Sequence, residues 1–217
     1  MSFAGTAVGC GLSLALVLGA YGWATEGFSL LTTEEARRRA VAREAPALPP
    51  LQLASPSQTA GAAPRDWETL LREDGRPTVL HFVYTGCRTL CSVQSAQTRS
   101  LQREIVALGA QADVRLITVS FDPLRDTLPV LQSYGERLGA AESVWTLWRP
   151  TQDTQLPPAL KALGIVVLPE GNGEFVHNAA WLVVDARARL RAIVPQEQPR
   201  RALRLALALA GPGKAPS

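Results

Sequence analysis

The sequence predicts an α/β protein whose mixed β-sheet is covered by helices on both faces. Residues 78–84 and 114–121 are two runs that are largely apolar on both faces of a strand, as expected of central strands. A stretch with helical periodicity follows each run, over residues 89–108 and 130–138. Strands that alternate with helices in this way indicate an α/β sandwich.

The remaining elements follow in chain order. Between the second strand and its helix, Asp122-Pro123 and Asp126-Thr127 provide turn and N-cap signals. The later elements are expected as a strand at 144–148, a helix at 156–163, an antiparallel strand pair at 175–185 and 190–194, and a helix at 200–210. Because the last pair is antiparallel, the predicted sheet is mixed.

The 217 residues are predicted to form one compact domain behind an N-terminal membrane anchor. A domain of about 150 residues can bury over two thirds of the surface of its unfolded chain, so we expect it to fold without metal. Residues 45–64 are uncharged and rich in Pro, Ala and Ser, which favours an extended spacer, although Leu51 and Leu53 could dock as an edge strand. The predicted segments are the anchor at 1–24, a juxtamembrane segment and linker at 25–64, the domain at 65–210 and a tail at 211–217.

The proposed anchor is a run without charged side chains. Residues 3–24 are long enough to cross a bilayer as a helix of about 20 residues, with Tyr21 and Trp23 at the interface. A cleaved signal peptide is the alternative, but the apolar region is long for one and no basic segment precedes it. The arginines at 37–39 and 43 follow the run, so the positive-inside rule alone would place the domain in the cytoplasm.

The charge balance argues against nucleic acid as a partner. Lys and Arg total 22 against 19 Asp and Glu, a net charge of only +3. Lys161 and Lys214 are the only lysines, and the arginines are spread along the chain. Such a weak and dispersed positive charge does not make the basic surface that nucleic-acid binding needs.

Two cysteines carry the most distinctive chemistry. Cys87 and Cys91 are spaced Cys-x-x-x-Cys where the first central strand passes into a helix, and the helix N-terminus together with Arg88 favours a thiolate. In a regular helix the Cβ atoms of residues i and i+4 are about 5–6 Å apart, wider than the roughly 3.5–4.5 Å of a disulfide. A metal ion fits that gap, a disulfide requires a looser first turn, and two buried structural cysteines are the plainest alternative. Cys10 is interpreted as a small residue of the apolar run.

The two histidines differ in their predicted positions. His81 lies in the middle of a strand and is interpreted as a packed strand residue, whereas His177 lies in a turn-rich loop before the strand at 181–185. Two thiolates and one imidazole form a soft donor set that suits Cu(I) and also accepts Zn(II). A blue-copper electron-transfer centre is excluded because no second histidine is near and Met1 is the only methionine.

Three motifs in this order resemble the Sco/SenC family of copper-binding proteins. Residues 81–91, His-Phe-Val-Tyr-Thr-Gly-Cys-Arg-Thr-Leu-Cys, are similar to the family's Phe-x-Tyr-Thr-x-Cys-Pro-x-x-Cys-Pro. Residues 117–127, Ile-Thr-Val-Ser-Phe-Asp-Pro-Leu-Arg-Asp-Thr, are similar to its Ser-x-Asp-Pro-x-Arg-Asp-Thr, and Val-His-Asn-Ala-Ala at 176–180 is similar to its Asp-His-Ser-Ala. The resemblance extends from about residue 66 to residue 194.

The resemblance implies a thioredoxin-like fold and a place in the assembly of cytochrome c oxidase. It implies that Cys87, Cys91 and His177 bind copper, as Cu(I) with Cu(II) as a further state. The implied partners are the copper-bearing oxidase subunit and another periplasmic copper chaperone or a thioredoxin-like reductase. The resemblance also implies an inner-membrane protein with one span, through residues 3–24, and a periplasmic domain, against the arginine signal.

The chain departs from the family pattern close to the expected ligands. Arg88 and Ser92 replace the two prolines that follow the cysteines, and Val176 replaces the acidic residue before the histidine. Loss of that carboxylate removes a possible partner of the imidazole, and Arg88 adds positive charge beside a cation site. These differences predict altered copper affinity and redox tuning.

Two functional classes compete. A metallochaperone would hold copper through the three ligands and pass it to the binuclear copper centre of the oxidase. A thiol-disulfide oxidoreductase would use the same cysteines to keep the copper-ligand thiols of the oxidase reduced, and only this alternative would make the protein an enzyme. The absence of a proline near His177, where thioredoxins have a cis-proline, argues against a general oxidoreductase, and the absence of a Pro-x-x-x-Thr-x-x-Cys loop argues against a peroxidase.

Overall fold

The computed structural model describes residues 3–24, 33–58, 63–87, 90–171 and 173–211. They fall into two compact units, Met1–Arg43 and Glu44–Ser217. The first unit contains α1 (Phe3–Ala24) and all but the last residue of α2 (Thr33–Glu44).

The run predicted as a membrane anchor is helical over its whole length, as α1. Nevertheless, in the part of the chain that the structure describes, no helix combines the length and the apolar character needed to cross a membrane. The predicted transmembrane segment is therefore not confirmed.

The second unit is built around a seven-stranded mixed sheet, beside which lies a separate two-stranded ribbon. Its helices are α3 (Trp67–Asp74), α4 (Leu90–Ala107), α5 (Leu128–Leu138), α6 (Leu156–Leu163) and α7 (Pro199–Ala210). Its strands are β1 (Gln52–Ala54), β2 (Arg65–Asp66), β3 (Thr78–Val83), β4 (Arg115–Ser120), β5 (Trp145–Pro150), β6 (Val167–Gly171), β7 (Glu174–His177), β8 (Ala180–Val184) and β9 (Leu190–Pro195).

The order of strands in the large sheet is β2-β1-β5-β4-β3-β8-β9. Strands β3, β4 and β5 are parallel neighbours, and β8 pairs antiparallel with both β3 and β9. Every residue of β3 is buried, which confirms the interpretation of this apolar run as a central strand. The mixed α/β sheet predicted from the alternation of elements is therefore present.

Helices cover the sheet because their apolar faces match its apolar residues. Leu101 and Ile105 of α4 and Leu203 of α7 belong to one buried cluster with Leu116 and Trp145 of the sheet. On α5, a smaller cluster joins Leu131 and Tyr134 to Leu147 of β5. Helix α5 ends at Leu138, as predicted, and its C-cap Gly139 has a left-handed φ of 66° that glycine adopts without strain.

The antiparallel strand predicted at 175–185 is wrong as a single element. It is divided into β7 and β8, and β7 pairs with β6, a strand that the sequence reading missed. The break lies at Asn178, whose side chain accepts from the N–H of Val166 at 2.8 Å and donates to the carbonyl of Gly164 at 2.9 Å. These bonds tie the break to the end of α6, so β7 leaves the large sheet and forms a ribbon with β6.

Part of the predicted linker is packed into the domain. Leu51 and Leu53 are fully buried, and β1 lies between β2 and β5. The indole N–H of Trp67 donates to the carbonyl of Pro49 at 2.6 Å. The uncharged composition of this stretch thus reflects burial of alternate leucines rather than a spacer alone, as the edge-strand alternative anticipated.

Candidate metal centre

The predicted ligands gather at the carboxyl ends of two parallel strands. Val83 and Ser120 are the last paired residues of β3 and β4. After β3 the chain enters the loop that bears Cys87, and after β4 it enters a loop at 121–127. Parallel strands end at the same edge of a sheet, so these two loops are neighbours.

The cysteine loop is held by hydrogen bonds at its start. The backbone N–H of Thr85 donates to Asp126 at 3.0 Å, and its hydroxyl donates to the same carboxylate at 2.5 Å. Cys87, two residues on, is half-buried, and its N–H donates to the carbonyl of Tyr84 at 3.4 Å. Cys91 is the second residue of α4, and its side chain lies outside the described residues.

Asp126 is a buried carboxylate, only 1% exposed. Besides the two bonds from Thr85, it accepts a hydrogen bond from the hydroxyl of Ser120 at 2.5 Å. Burial raises the pKa of Asp126 above its usual value, although these donors act in the opposite direction. The sequence offered Asp126-Thr127 as an N-cap signal, and Thr127 is the N-cap of α5, whereas Asp126 contacts the cysteine loop.

His177 is the last residue of β7 and is 9% exposed. Its Nδ1 lies 3.0 Å from the carbonyl oxygen of Asn178, to which it donates. In that tautomer Nε2 carries the ring's lone pair and is the nitrogen through which the imidazole would bind a metal. Burial lowers the pKa of His177, so the imidazole stays neutral, which is the form that binds metals.

A cluster of three aromatic rings lies against one side of this imidazole. The ring of Phe121 lies 4.9 Å from the ring of His177, and that of Tyr84 lies 6.2 Å from it, both edge-on. Phe175 packs edge-on against Tyr84 at 5.2 Å and against Phe121 at 5.5 Å. The rings exclude water from one side of the histidine, which favours a soft cation of low charge over a strongly hydrated one.

Tyr84 connects the cysteine loop with the ribbon. Its hydroxyl donates to the carboxylate of Glu174 at 2.6 Å. The pKa of Tyr84 is raised by burial first, then by this bond and, to a smaller degree, by the nearby Cys87. Tyr84 therefore neighbours both Cys87 and His177.

The structure describes the side chains of two of the three predicted ligands, Cys87 and His177. Among the residues that the structure describes, no group of three or more His, Cys, Asp or Glu side chains is arranged to hold a metal ion. The side chain of Cys91 lies outside those residues, so the set of Cys87, Cys91 and His177 stays a prediction.

Comparison with known proteins identifies the family. The sequence model of SCO1/SenC matches residues 68–209, which is more than half of the chain. The chain belongs to the SCO1/SenC family. A SCO1 protein homolog of Bacillus subtilis (strain 168) is 27% identical over 112 residues, which cover 51% of this chain and 57% of that relative.

Solved structures of SCO1/SenC proteins share the fold. BsSco, described as a member of the Sco family of cytochrome c oxidase assembly proteins with a disulfide switch, is 17% identical with a TM-score of 0.62 over 76% of this chain and 93% of its own. Bradyrhizobium japonicum ScoI with copper bound is 19% identical with a TM-score of 0.56 over 74% and 97% of the two chains. Yeast Sco1 with copper bound is 13% identical with a TM-score of 0.60 over 78% and 92%. The fold expected from the resemblance is confirmed.

The structure changes the meaning of one departure from the SCO1/SenC pattern. Val176 is 53% exposed, and it alternates along β7 with the buried His177. Neighbouring residues of a strand point to opposite faces, so a carboxylate at position 176 would lie on the outer face of the ribbon. The Nδ1 partner of His177 is the carbonyl of Asn178, and the valine does not remove it.

The other histidine occupies the predicted packed position. His81 is 1% exposed in β3, and its Nε2 lies 2.7 Å from the hydroxyl of Thr118 and 3.2 Å from that of Thr98. Sequence reasoning did not single out Tyr84 or Glu174. The apolar run at 78–84 marks Tyr84 only as a buried strand residue, and nothing in the sequence pairs it with a glutamate 90 residues away.

Proposed function

We propose that the domain binds a copper ion through Cys87, Cys91 and His177 and delivers it to the copper-bearing subunit of a cytochrome c oxidase. The observation that carries this proposal is the position of His177, whose Nδ1 donates to the carbonyl of Asn178 and whose ring packs edge-on against Tyr84, three residues before Cys87. Membership of SCO1/SenC and the copper-bound structures of yeast Sco1 and Bradyrhizobium ScoI support it.

The chemistry of the donors fits copper as a cargo. Two thiolates and a neutral imidazole form a soft three-donor site that suits Cu(I). Cys87 is half-buried, so an incoming thiolate can reach the ion and replace the ligands one at a time. Transfer by such ligand exchange changes neither the charge of the copper nor its electron count.

We place this activity in the periplasm, where the copper centre of a bacterial oxidase would be loaded. A cysteine pair in that compartment meets oxidants that are scarce in the cytosol, which explains a need for re-reduction. A reporter fused after Ser217 should be active on the periplasmic side. Activity confined to the cytoplasm would contradict the placement.

A second candidate is a thiol-disulfide reductase acting on the oxidase. The half-buried Cys87 just before the N-terminus of α4 is an accessible position for a reactive sulfur, and the disulfide switch of BsSco is a related observation. In this reaction the Cys87 and Cys91 thiols lose two electrons and two protons and form a disulfide. The target disulfide gains them and becomes two thiols.

The substitution His177→Ala separates the two functions. Copper binding loses one of three donors, so the full-length variant should bind Cu(I) far more weakly than the parent in a titration followed by mass and absorption. The reduction potential of the Cys87 and Cys91 pair should stay within about 30 mV, the size of a tenfold change in the exchange constant.

Cysteine variants complete the design. Cys87→Ser should abolish copper binding and reductase activity together, whereas Cys10→Ser, outside the candidate site, should change neither. If His177→Ala bound copper as tightly as the parent and lost reductase activity, the metal site would lie elsewhere and the reductase would be the better description.

A further inference from the structure

The loop at 121–127, which follows β4, contacts both segments that bear the proposed ligands. On one side, the carboxylate of Asp126 accepts hydrogen bonds from the N–H and the hydroxyl of Thr85, at 3.0 and 2.5 Å. Thr85 lies two residues before Cys87. Ser120, at the end of β4, donates to the same carboxylate at 2.5 Å and so ties it to the sheet. The cysteine loop is thereby anchored to the end of a central strand.

On the other side, Arg125 holds the ribbon. Its Nη1 donates to the carbonyl of Gly173 at 2.5 Å, and its guanidinium carbon lies 5.1 Å from the centre of the Phe175 ring. Its Nε is paired with the carboxylate of Asp122 in the same loop. Both ribbon contacts lie within four residues of His177, on β7 or at the turn that precedes it.

Arg125 approaches the ribbon so closely that a side chain at residue 173 would displace its guanidinium. A Cβ built on Gly173 would lie 2.0 Å from the Nη1 of Arg125. Gly173 also has a φ of 81°, in the left-handed region that favours glycine. The turn of the ribbon is therefore shaped to receive this guanidinium.

We propose that Asp126 and Arg125 are positioning residues for two different copper ligands, Asp126 for Cys87 and Arg125 for His177. This inference rests on the proposed function. The two residues are neighbours in the chain, so adjacent positions of one loop contact both ligand-bearing segments. Groups that orient metal ligands in this way typically contribute about 10–100-fold to metal affinity.

The two residues should differ in what they control. Asp126 acts on the segment that bears a redox-active sulfur, so its loss should alter both copper affinity and the cysteine reduction potential. Arg125 acts on the histidine ribbon, which takes no part in disulfide formation, so its loss should alter copper affinity alone. A general loss of stability would not produce this division.

The experiment compares Arg125→Ala and Asp126→Ala with Asp185→Ala in the full-length protein. Asp185 is the matched control, because its carboxylate also holds a loop, accepting from the N–H groups of Arg187 at 3.0 Å and Arg189 at 2.9 Å. It follows β8, whose Val184 pairs with the first residue of β3, so it lies at the sheet edge opposite the candidate site. Melting temperature, Cu(I) affinity and reduction potential are measured for each variant.

We expect Arg125→Ala to weaken Cu(I) binding at least tenfold without moving the reduction potential. Asp126→Ala should weaken binding at least tenfold and move the potential by about 30 mV or more, the equivalent of a tenfold change in the exchange constant. Asp185→Ala should lower the melting temperature only. If Asp126→Ala does not fold, Thr85→Ala removes the hydroxyl half of the same contact and should change affinity and potential in the same direction but by less, because the backbone N–H bond to Asp126 remains.

The inference is overturned if the parent binds copper and the Arg125 and Asp126 variants bind it equally well, or if Asp185→Ala weakens binding to the same degree. A parent that binds no copper would contradict the proposed function instead. In that case the cysteine reduction potential is the remaining readout. A potential that changes in Asp126→Ala but not in Arg125→Ala still supports the separate anchoring of the cysteine loop. Equal potentials in all variants overturn that anchoring.

Discussion

His81 and His177 are both buried, yet their surroundings give the two imidazoles different chemistry. His81 lies in the centre of the sheet against the hydroxyls of Thr98 and Thr118, and burial lowers its pKa to about 3. His177 lies at the carboxyl-end edge, and its Nδ1 donates to the backbone carbonyl of Asn178. The central imidazole is therefore a neutral packing residue, and the edge imidazole is suited to binding a metal.

The low pKa of His81 predicts a dependence of stability on pH. Between about pH 3 and pH 6.5, His81 is protonated in the unfolded chain but stays neutral in the folded protein. The free energy of unfolding should therefore rise with pH in this range, by up to about 1.4 kcal/mol per pH unit. This contribution is present above pH 6.5 and is lost on acidification. Urea unfolding at pH 7 and at pH 5 measures it.

Two variants test whether His81 is the source of this dependence of the free energy of unfolding on pH. His81→Gln removes the titrating group and should flatten the dependence by up to one proton, whereas His177→Gln should retain the larger part of it. Equal slopes in the parent and in His81→Gln would show that burial of this imidazole is not its source.

Gly173 and Gly171 allow a matched test of the close approach of Arg125. Both have positive φ angles, 81° and 93°, so an alanine strains the backbone at either position. Only at Gly173 would the new Cβ meet Arg125, since nothing lies within 4 Å of a Cβ at Gly171. Gly173→Ala should therefore reproduce the copper-binding defect of Arg125→Ala, and Gly171→Ala should cost only about 1 kcal/mol of stability. Equal copper affinities in the two alanine variants would contradict this expectation.

At the level of elements, strands with two buried faces were predictable and the ribbon was not. The apolar run of β3 identifies a central strand because only such a strand buries both faces. The division of 175–185 at Asn178 depends on hydrogen bonds to Gly164 and Val166, which the local sequence does not reveal. The strand β6 carries mostly exposed residues and so lacks the buried pattern that marks a strand.

The position of β1 predicts where a stable fragment begins. A fragment that starts at Arg65 lacks the fully buried Leu51 and Leu53 and the Pro49 carbonyl that accepts from the Trp67 indole. Each buried leucine that is truncated typically costs about 2–5 kcal/mol, so this fragment should be much less stable than one that starts at Glu44. Denaturant unfolding of the two fragments, with Leu53→Ala in the longer one, tests this. Equal midpoints would show that β1 contributes little.

For the molecule as a whole, the sequence motifs predicted the candidate ligands better than they predicted the contacts that hold the ligand-bearing segments. Cys87 and His177 stand in recognisable patterns, and both come to lie beside Tyr84. The contacts of Asp126 with Thr85 and of Arg125 with Gly173 span 41 and 48 residues. Such contacts depend on which strands are neighbours, and that order became known only with the fold.

The ribbon is the part of the domain whose stability copper should change most. Strands β6 and β7 form a sheet of their own, so the ribbon is held by side-chain contacts such as that of Tyr84 with Glu174 rather than by the ladder of the large sheet. Regions with few such links open locally at low free energy, and a ligand that binds only the closed form suppresses the opening.

Cu(I) should therefore raise the melting temperature and slow amide exchange over residues 167–177 more than over β3, whose amides are already protected by the large sheet. A free copper concentration of 100 times the dissociation constant stabilises the native state by about 2.7 kcal/mol. In His177→Ala the added protection of the ribbon should disappear, because the ion then has no donor on β7. Hydrogen exchange followed by mass spectrometry, with and without Cu(I), measures both. Uniform slowing across the sheet and ribbon, or slowing that survives in His177→Ala, would show that the copper is not bound through the ribbon.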